Sequence, residues 1–130
     1  MLHPLVEKWE TTLQDVFDLI DEELEVKYGD KFPLRANRPS KGKGTTPDTD
    51  GLFELAVTFS AGLRSELGPG YVFRVRLATL AKVPEDFRKQ VEQDALARLR
   101  IELPKQFPDK DLKVGIDGQM FKIYGDLSLE

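Results

Sequence analysis

The sequence predicts an α+β domain: a two-layer sandwich in the order α-β-β-α-β-β, with a four-stranded antiparallel sheet and two helices on one face. Three observations predict it. Two long stretches repeat apolar residues at steps of three and four, the period of an amphipathic helix. Each is followed by two short runs in which apolar and polar residues alternate, the period of a half-buried strand. A glycine-bearing link joins the runs of each pair, as a hairpin requires.

The first helix spans residues 4–28. Leu5, Val6, Trp9, Leu13, Val16, Phe17, Ile20 and Leu24 fall on one stripe. Pro4 suits the first turn, where a missing N–H costs nothing, and Gly29 suits the stop. The opposite face is acidic, with Glu7, Glu10, Asp15, Asp18, Glu22 and Glu25. A solvated face is the simplest reading of it.

Residues 30–50 have no periodicity. Pro33, Pro39, Pro47, Gly42 and Gly44 interrupt every pattern, so a long basic loop is expected. Loops of this length are uncommon in compact domains unless they serve a function or are disordered.

Residues 51–61 alternate Phe53, Leu55, Val57, Phe59 and Ala61 against Glu54, Ala56, Thr58 and Ser60. Residues 71–80 set Tyr71, Phe73, Val75 and Leu77 against Val72, Arg74, Arg76 and Ala78. Pairing Phe59 with Phe73 and Val57 with Val75 puts both apolar sets on one face. The second helix covers 84–103, with Phe87, Val91, Ala95, Leu96, Leu99 and Leu103 as its buried stripe and Pro104 at its exit. Asp117-Gly118 then sits between two alternating runs over 111–124. A two-residue turn there pairs Ile116 with Gln119, Val114 with Phe121 and Leu112 with Ile123.

This order is also a circular permutation of the ferredoxin-like β-α-β-β-α-β chain. In that arrangement the second strand lies beside the fourth; a plain meander is the alternative.

Length and composition bound the function. The 130 residues fit one domain, which can bury roughly two-thirds of its unfolded surface. With 40% hydrophobic and 32% charged residues the chain is neither disordered nor membrane-spanning, and residence in the cytoplasm is the default. The absence of cysteine removes disulfides, thiolate metal sites and a thiol nucleophile. The single histidine, His3, reads as a terminal or capping residue. No cofactor or metal is expected. An enzyme would have to work through Asp, Glu, Lys or Tyr, and no context predicts a buried carboxyl pair.

The net charge of −4 disfavours bulk nucleic-acid binding, but it is unevenly placed. Residues 1–30 carry nine acids and two bases, whereas residues 31–50 carry five bases and two acids. Arg35, Arg38, Lys41 and Lys43 therefore form a basic loop, with two readings: an internal contact with the acidic helix face, or a phosphate or nucleic-acid site. The spacing around Lys41-Gly42-Lys43-Gly44 does not match a phosphate-binding loop. The link from Gly62 to Gly70, with Arg64 in it, is either an anion-binding backbone or a hairpin loop needing positive φ.

With both helices on the apolar face, the other face shows Arg74, Arg76, Lys113, Lys122, Tyr124, Thr58 and Ser60. Two functions of different class follow. One is a non-catalytic interaction module that binds a protein partner or a second copy through this open face. The other is a binder of nucleic acid or a phosphate ligand through Arg35, Arg38, Lys41 and Lys43 with Arg74 and Arg76. No membrane partner is expected.

Overall fold

The computed structural model describes residues 4–44, 50–60, 62, 67–117 and 120–125. Its elements are α1 (Pro4–Tyr28), β1 (Phe53–Ser60), β2 (Gly70–Leu77), α2 (Glu85–Gln106), β3 (Leu112–Asp117) and β4 (Met120–Gly125). The order is α-β-β-α-β-β. The sheet runs β1-β2-β4-β3, and every neighbouring pair is antiparallel. The second strand lies beside the fourth, so the permuted ferredoxin-like order holds and the meander does not.

Both helices pack on the apolar face of the sheet. Trp9, Leu13, Val16, Phe17, Ile20 and Leu24 of α1 are buried, as are Val91, Ala95, Leu96, Leu99 and Leu103 of α2. They close over Phe53, Leu55, Phe73, Val75, Phe121 and Ile123 in one core. Phe73 sits at its centre, stacked on Phe121 at 5.1 Å and tilted against Phe17 at 5.1 Å. Trp9 closes one end between Tyr71 at 5.1 Å and Phe107 at 4.7 Å. α2 continues through Pro104 instead of ending before it. The proline lies in the last turn, where its missing N–H removes a single intrahelical bond.

Both hairpin registers differ from expectation by two residues. Val57 pairs with Phe73 and Leu55 with Val75, not Phe59 with Phe73. Ile116 pairs with Phe121 and Val114 with Ile123, so Gly118 and Gln119 link the strands and lie outside the described residues. A shift of two keeps every side chain on its face, so alternation cannot detect it. Backbone crowding selects the register instead. Gly62 has φ +74°, and a Cβ there would lie 2.1 Å from the carbonyl of Gly68, so the first hairpin closes immediately beyond Ser60↔Gly70. Gly125 has φ +110° and opposes Leu112, where a Cβ would lie 2.4 Å from the Asp111 carbonyl oxygen. Only glycine fits either place.

Candidate functional site

The basic loop is folded onto α1 and the start of β1. Arg38 is nearly buried, with 8% of its side chain exposed. Its Nε donates to the Gly51 carbonyl at 3.0 Å, and its Nη2 donates to the Asp50 and Phe53 carbonyls at 3.0 and 3.2 Å. Its Nη1 donates to Glu54 at 3.2 Å, a carboxylate that Arg35 shares. A planar guanidinium can meet this many acceptors at once, and an ammonium cannot.

Lys41 reaches the other way. Its Nζ lies 3.2 Å from Asp21 on α1 and 3.5 Å from Asp50. Asp50 also accepts the N–H groups of Gly42 and Gly44 at 2.9 and 3.0 Å. Burial raises the Asp50 carboxyl, but those two N–H groups and Lys41 outweigh it and hold the pKa below the usual value of 3.8. Asp21 has the opposite balance. It is 2% exposed, its Oδ1 has no hydrogen-bond partner, and burial pushes its pKa up to about 7 despite Lys41. Burial lowers the Lys41 pKa, but the attraction of Asp21, Asp50 and Glu25 outweighs it, for a net rise. Lys43 is exposed in the same loop, and Arg64 lies outside the described residues.

Glu25 performs a further task that periodicity did not reveal. Its two oxygens accept the N–H groups of Leu52 and Phe53 at 3.0 and 3.1 Å. These bonds fix which way β1 faces. In an antiparallel ladder the N–H and C=O of one residue point to the same side, and the side alternates. Phe53 gives its N–H to Glu25 and its carbonyl to Arg38, both away from β2. Leu55, Val57 and Phe59 therefore turn their backbone groups outward too, toward the free edge of the sheet. Among the described residues no hydrogen bond meets them.

The α1 stripe beside this edge is acidic. Glu25 meets the start of β1, while Glu10 and Gln14 line a cavity of about 250 Å³ with Val57, Phe59 and Tyr71 near its end. So α1 runs antiparallel to β1, and Glu10, Gln14, Asp18, Glu22 and Glu25 follow its edge at steps of three and four. Asp18, Glu22 and Glu25 also line a cavity of about 650 Å³, with Lys41 across from them. Among the described residues no group of three or more carboxylates or histidines is arranged to hold a metal ion.

The open face of the sheet is only half open. Lys122, expected on that surface, is fully buried. It stands opposite Val72 and Gly115, and Leu67 of the β1–β2 link packs over Gly115 beside the Tyr124 ring. Leu67 thus covers part of the β3–β4 half, and Tyr124 is half-buried. The β1–β2 half remains bare, with Ala56, Thr58, Val72, Arg74 and Arg76 around a depression of about 430 Å³.

Arg74 and Arg76 stand beyond Phe73↔Phe121, the last pair of β2 with β4 among the described residues. The first turns of α2 lie beside that end of the sheet. The resulting cavity, of about 530 Å³, brings Arg74 and Arg76 together with Arg88, which no sequence pattern marked. Glu54 stands opposite Arg76 but is bonded to Arg35 and Arg38 instead.

Among the described residues no helix is long and apolar enough to cross a membrane. A protein-family model described as "Uncharacterised protein" matches residues 4–125. The chain is 33% identical over 106 residues to a protein described as "Uncharacterized protein" from Borreliella burgdorferi (strain ATCC 35210 / DSM 4680 / CIP 102532 / B31), an alignment covering 82% of this chain and 83% of that protein. No solved structure matches the chain. The chain belongs to the family whose model spans residues 4–125 and carries the description "Uncharacterised protein".

Proposed function

We propose that this domain is a non-catalytic interaction module that binds an extended segment of a protein partner along the free edge of β1. The observation that carries this reading is the edge itself. Leu55, Val57 and Phe59 present outward N–H and C=O groups with no partner among the described residues. Edge strands are normally blunted by lysine, proline, a bulge or a covering segment. From Leu55 to Phe59 this strand has no charge and no proline, and Phe59 is 54% exposed. Such an edge accepts an added strand through main-chain hydrogen bonds.

The acidic stripe of α1 sets the chemistry of the occupant. A strand added beside Val57 would direct alternate side chains toward Glu10, Gln14 and Asp18. Lysine or arginine at those places would be favoured. A second copy of this chain would instead bring two acidic α1 stripes together, which disfavours self-pairing at this edge.

The test uses a blocked, fluorescently labelled peptide of alternating lysine and valine, with a glutamate–valine peptide as control. Anisotropy should show saturable, salt-weakened binding of the lysine peptide and none of the control. Equal binding of both peptides, binding of neither, or concentration-dependent dimerisation that the Val57→Pro variant abolishes would overturn the reading.

A further inference from the structure

We propose that the wedge between the end of β2, the start of β4 and the first turns of α2 is a binding site for an organic phosphate. This goes beyond the strand-addition reading, because it uses the opposite side of β2 and none of the β1 edge.

The argument starts with the arginines. Arg74, Arg76 and Arg88 line one cavity of about 530 Å³, within the range of small-molecule sites. None of the three makes an ion pair among the described residues. Among the described residues the Arg74 side chain has a single polar contact, from its Nη2 to the Met120 sulfur at 3.1 Å, and a thioether is a weak acceptor. Arg35, Arg38 and Arg98 behave differently: Arg35 and Arg38 hold Glu54, and Arg98 holds Glu23 and Glu102, whereas Arg100 is exposed on α2 and lines no such cavity. Three arginines that line one cavity and have no carboxylate partner among the described residues offer the donors that phosphate oxygens accept.

The backbone belongs to the site as well: Val75, on β2 between Arg74 and Arg76, lines the cavity. The nearby start of α2 has no side-chain cap, so the positive end of that helix reinforces the field.

The remaining lining indicates more than a bare anion. Glu85 and Glu92 share one stripe of α2 with Arg88 and also border the cavity. Carboxylates repel phosphate but accept hydrogen bonds from hydroxyl or amino groups. Met120 and Phe121 supply an apolar wall. The ligand that satisfies all three features has a phosphate group, a body that tolerates apolar contact, and hydroxyl or amino donors.

ADP has these features and serves as the probe; adenosine lacks the phosphate, and inorganic pyrophosphate lacks the body. Backbone amide shifts in a 15N-labelled sample give both location and affinity. ADP should produce saturable shifts at residues 74–77, 85–92 and 120–121, with pyrophosphate weaker and adenosine inactive. Arg76→Glu and Arg88→Glu should each weaken ADP by about tenfold or more, one charge-assisted contact being worth at least that. Both residues are exposed, so both variants should keep the wild-type spectrum elsewhere. Lys89→Glu, on α2 but outside the cavity, should leave ADP binding unchanged. No saturation up to about 10 mM ADP, equal shifts with adenosine, or equal weakening in the Lys89 variant would overturn the proposal.

Discussion

Replacing Asp21 by asparagine should make the domain more stable above neutral pH and flatten its dependence on pH. Asp21 is 2% exposed and has an unpartnered Oδ1, and its pKa rises from 3.8 to about 7 on folding, chiefly through burial. A raised carboxyl pKa means that the folded state holds the proton more tightly than the unfolded chain. Stability is therefore lost as pH rises from the unfolded value toward the folded one. With about 1.4 kcal/mol for each unit, the penalty is at most about 1.7 kcal/mol near pH 5 and about 4 kcal/mol near pH 8. Between those values the wild-type chain should lose roughly 2.5 kcal/mol from this group, a shift of about 1–2 M in urea midpoint. Asp50 has a lowered pKa, so its contribution disappears only in acid, below this window. Lys41 has a raised pKa, and its contribution fades only as pH climbs above its ordinary value of 10.5. Urea titrations of wild type and Asp21→Asn at several pH values isolate the group, since His3 is common to both. Parallel pH profiles, or a wild type more stable than the variant near pH 8, would refute the reasoning.

Arg38→Lys should destabilise the domain by about 3 kcal/mol, because one ammonium cannot replace bonds to three carbonyls and a carboxylate in a buried place; thermal melts would check it. Val57→Pro should leave stability within about 1 kcal/mol, because the N–H it removes faces away from the β2 ladder and edge strands tolerate such a proline. The same variant should abolish binding of the lysine–valine peptide in the anisotropy assay.

The architecture was legible because it rests on period. The stripes of α1 and α2 and the alternation of four strands are local, and they bury the residues they mark: Leu13, Phe17, Val91, Leu99, Phe73, Ile123. Register was legible only to within two residues. Alternation says which face Val57 and Val114 occupy, but close backbone approaches at Gly62 and Gly125 decide their partners. The roles of single polar residues were hidden for a related reason. Asp21 and Glu25 belong by pattern to an acidic helix face, yet one is buried beside Lys41 and the other anchors β1. Lys122 fell on the face without helices, yet it is buried beside Gly70, with Leu67 over the neighbouring Gly115. Arg74 and Arg76 were legible as basic residues on that face. Arg88 joins them only through the packing of α2 against that end of the sheet, which no local signal records.

The claim that β1 is an open docking edge is tested most directly by amide hydrogen exchange along that strand. In the free protein the N–H groups of Leu55, Val57 and Phe59 should exchange at nearly unprotected rates, while those of Glu54, Ala56 and Thr58, which face β2, should be protected. Saturating lysine–valine peptide should slow the first three and leave the second three unchanged. Protection of Leu55, Val57 and Phe59 in the free protein, or rates there that the peptide does not alter, would contradict the account.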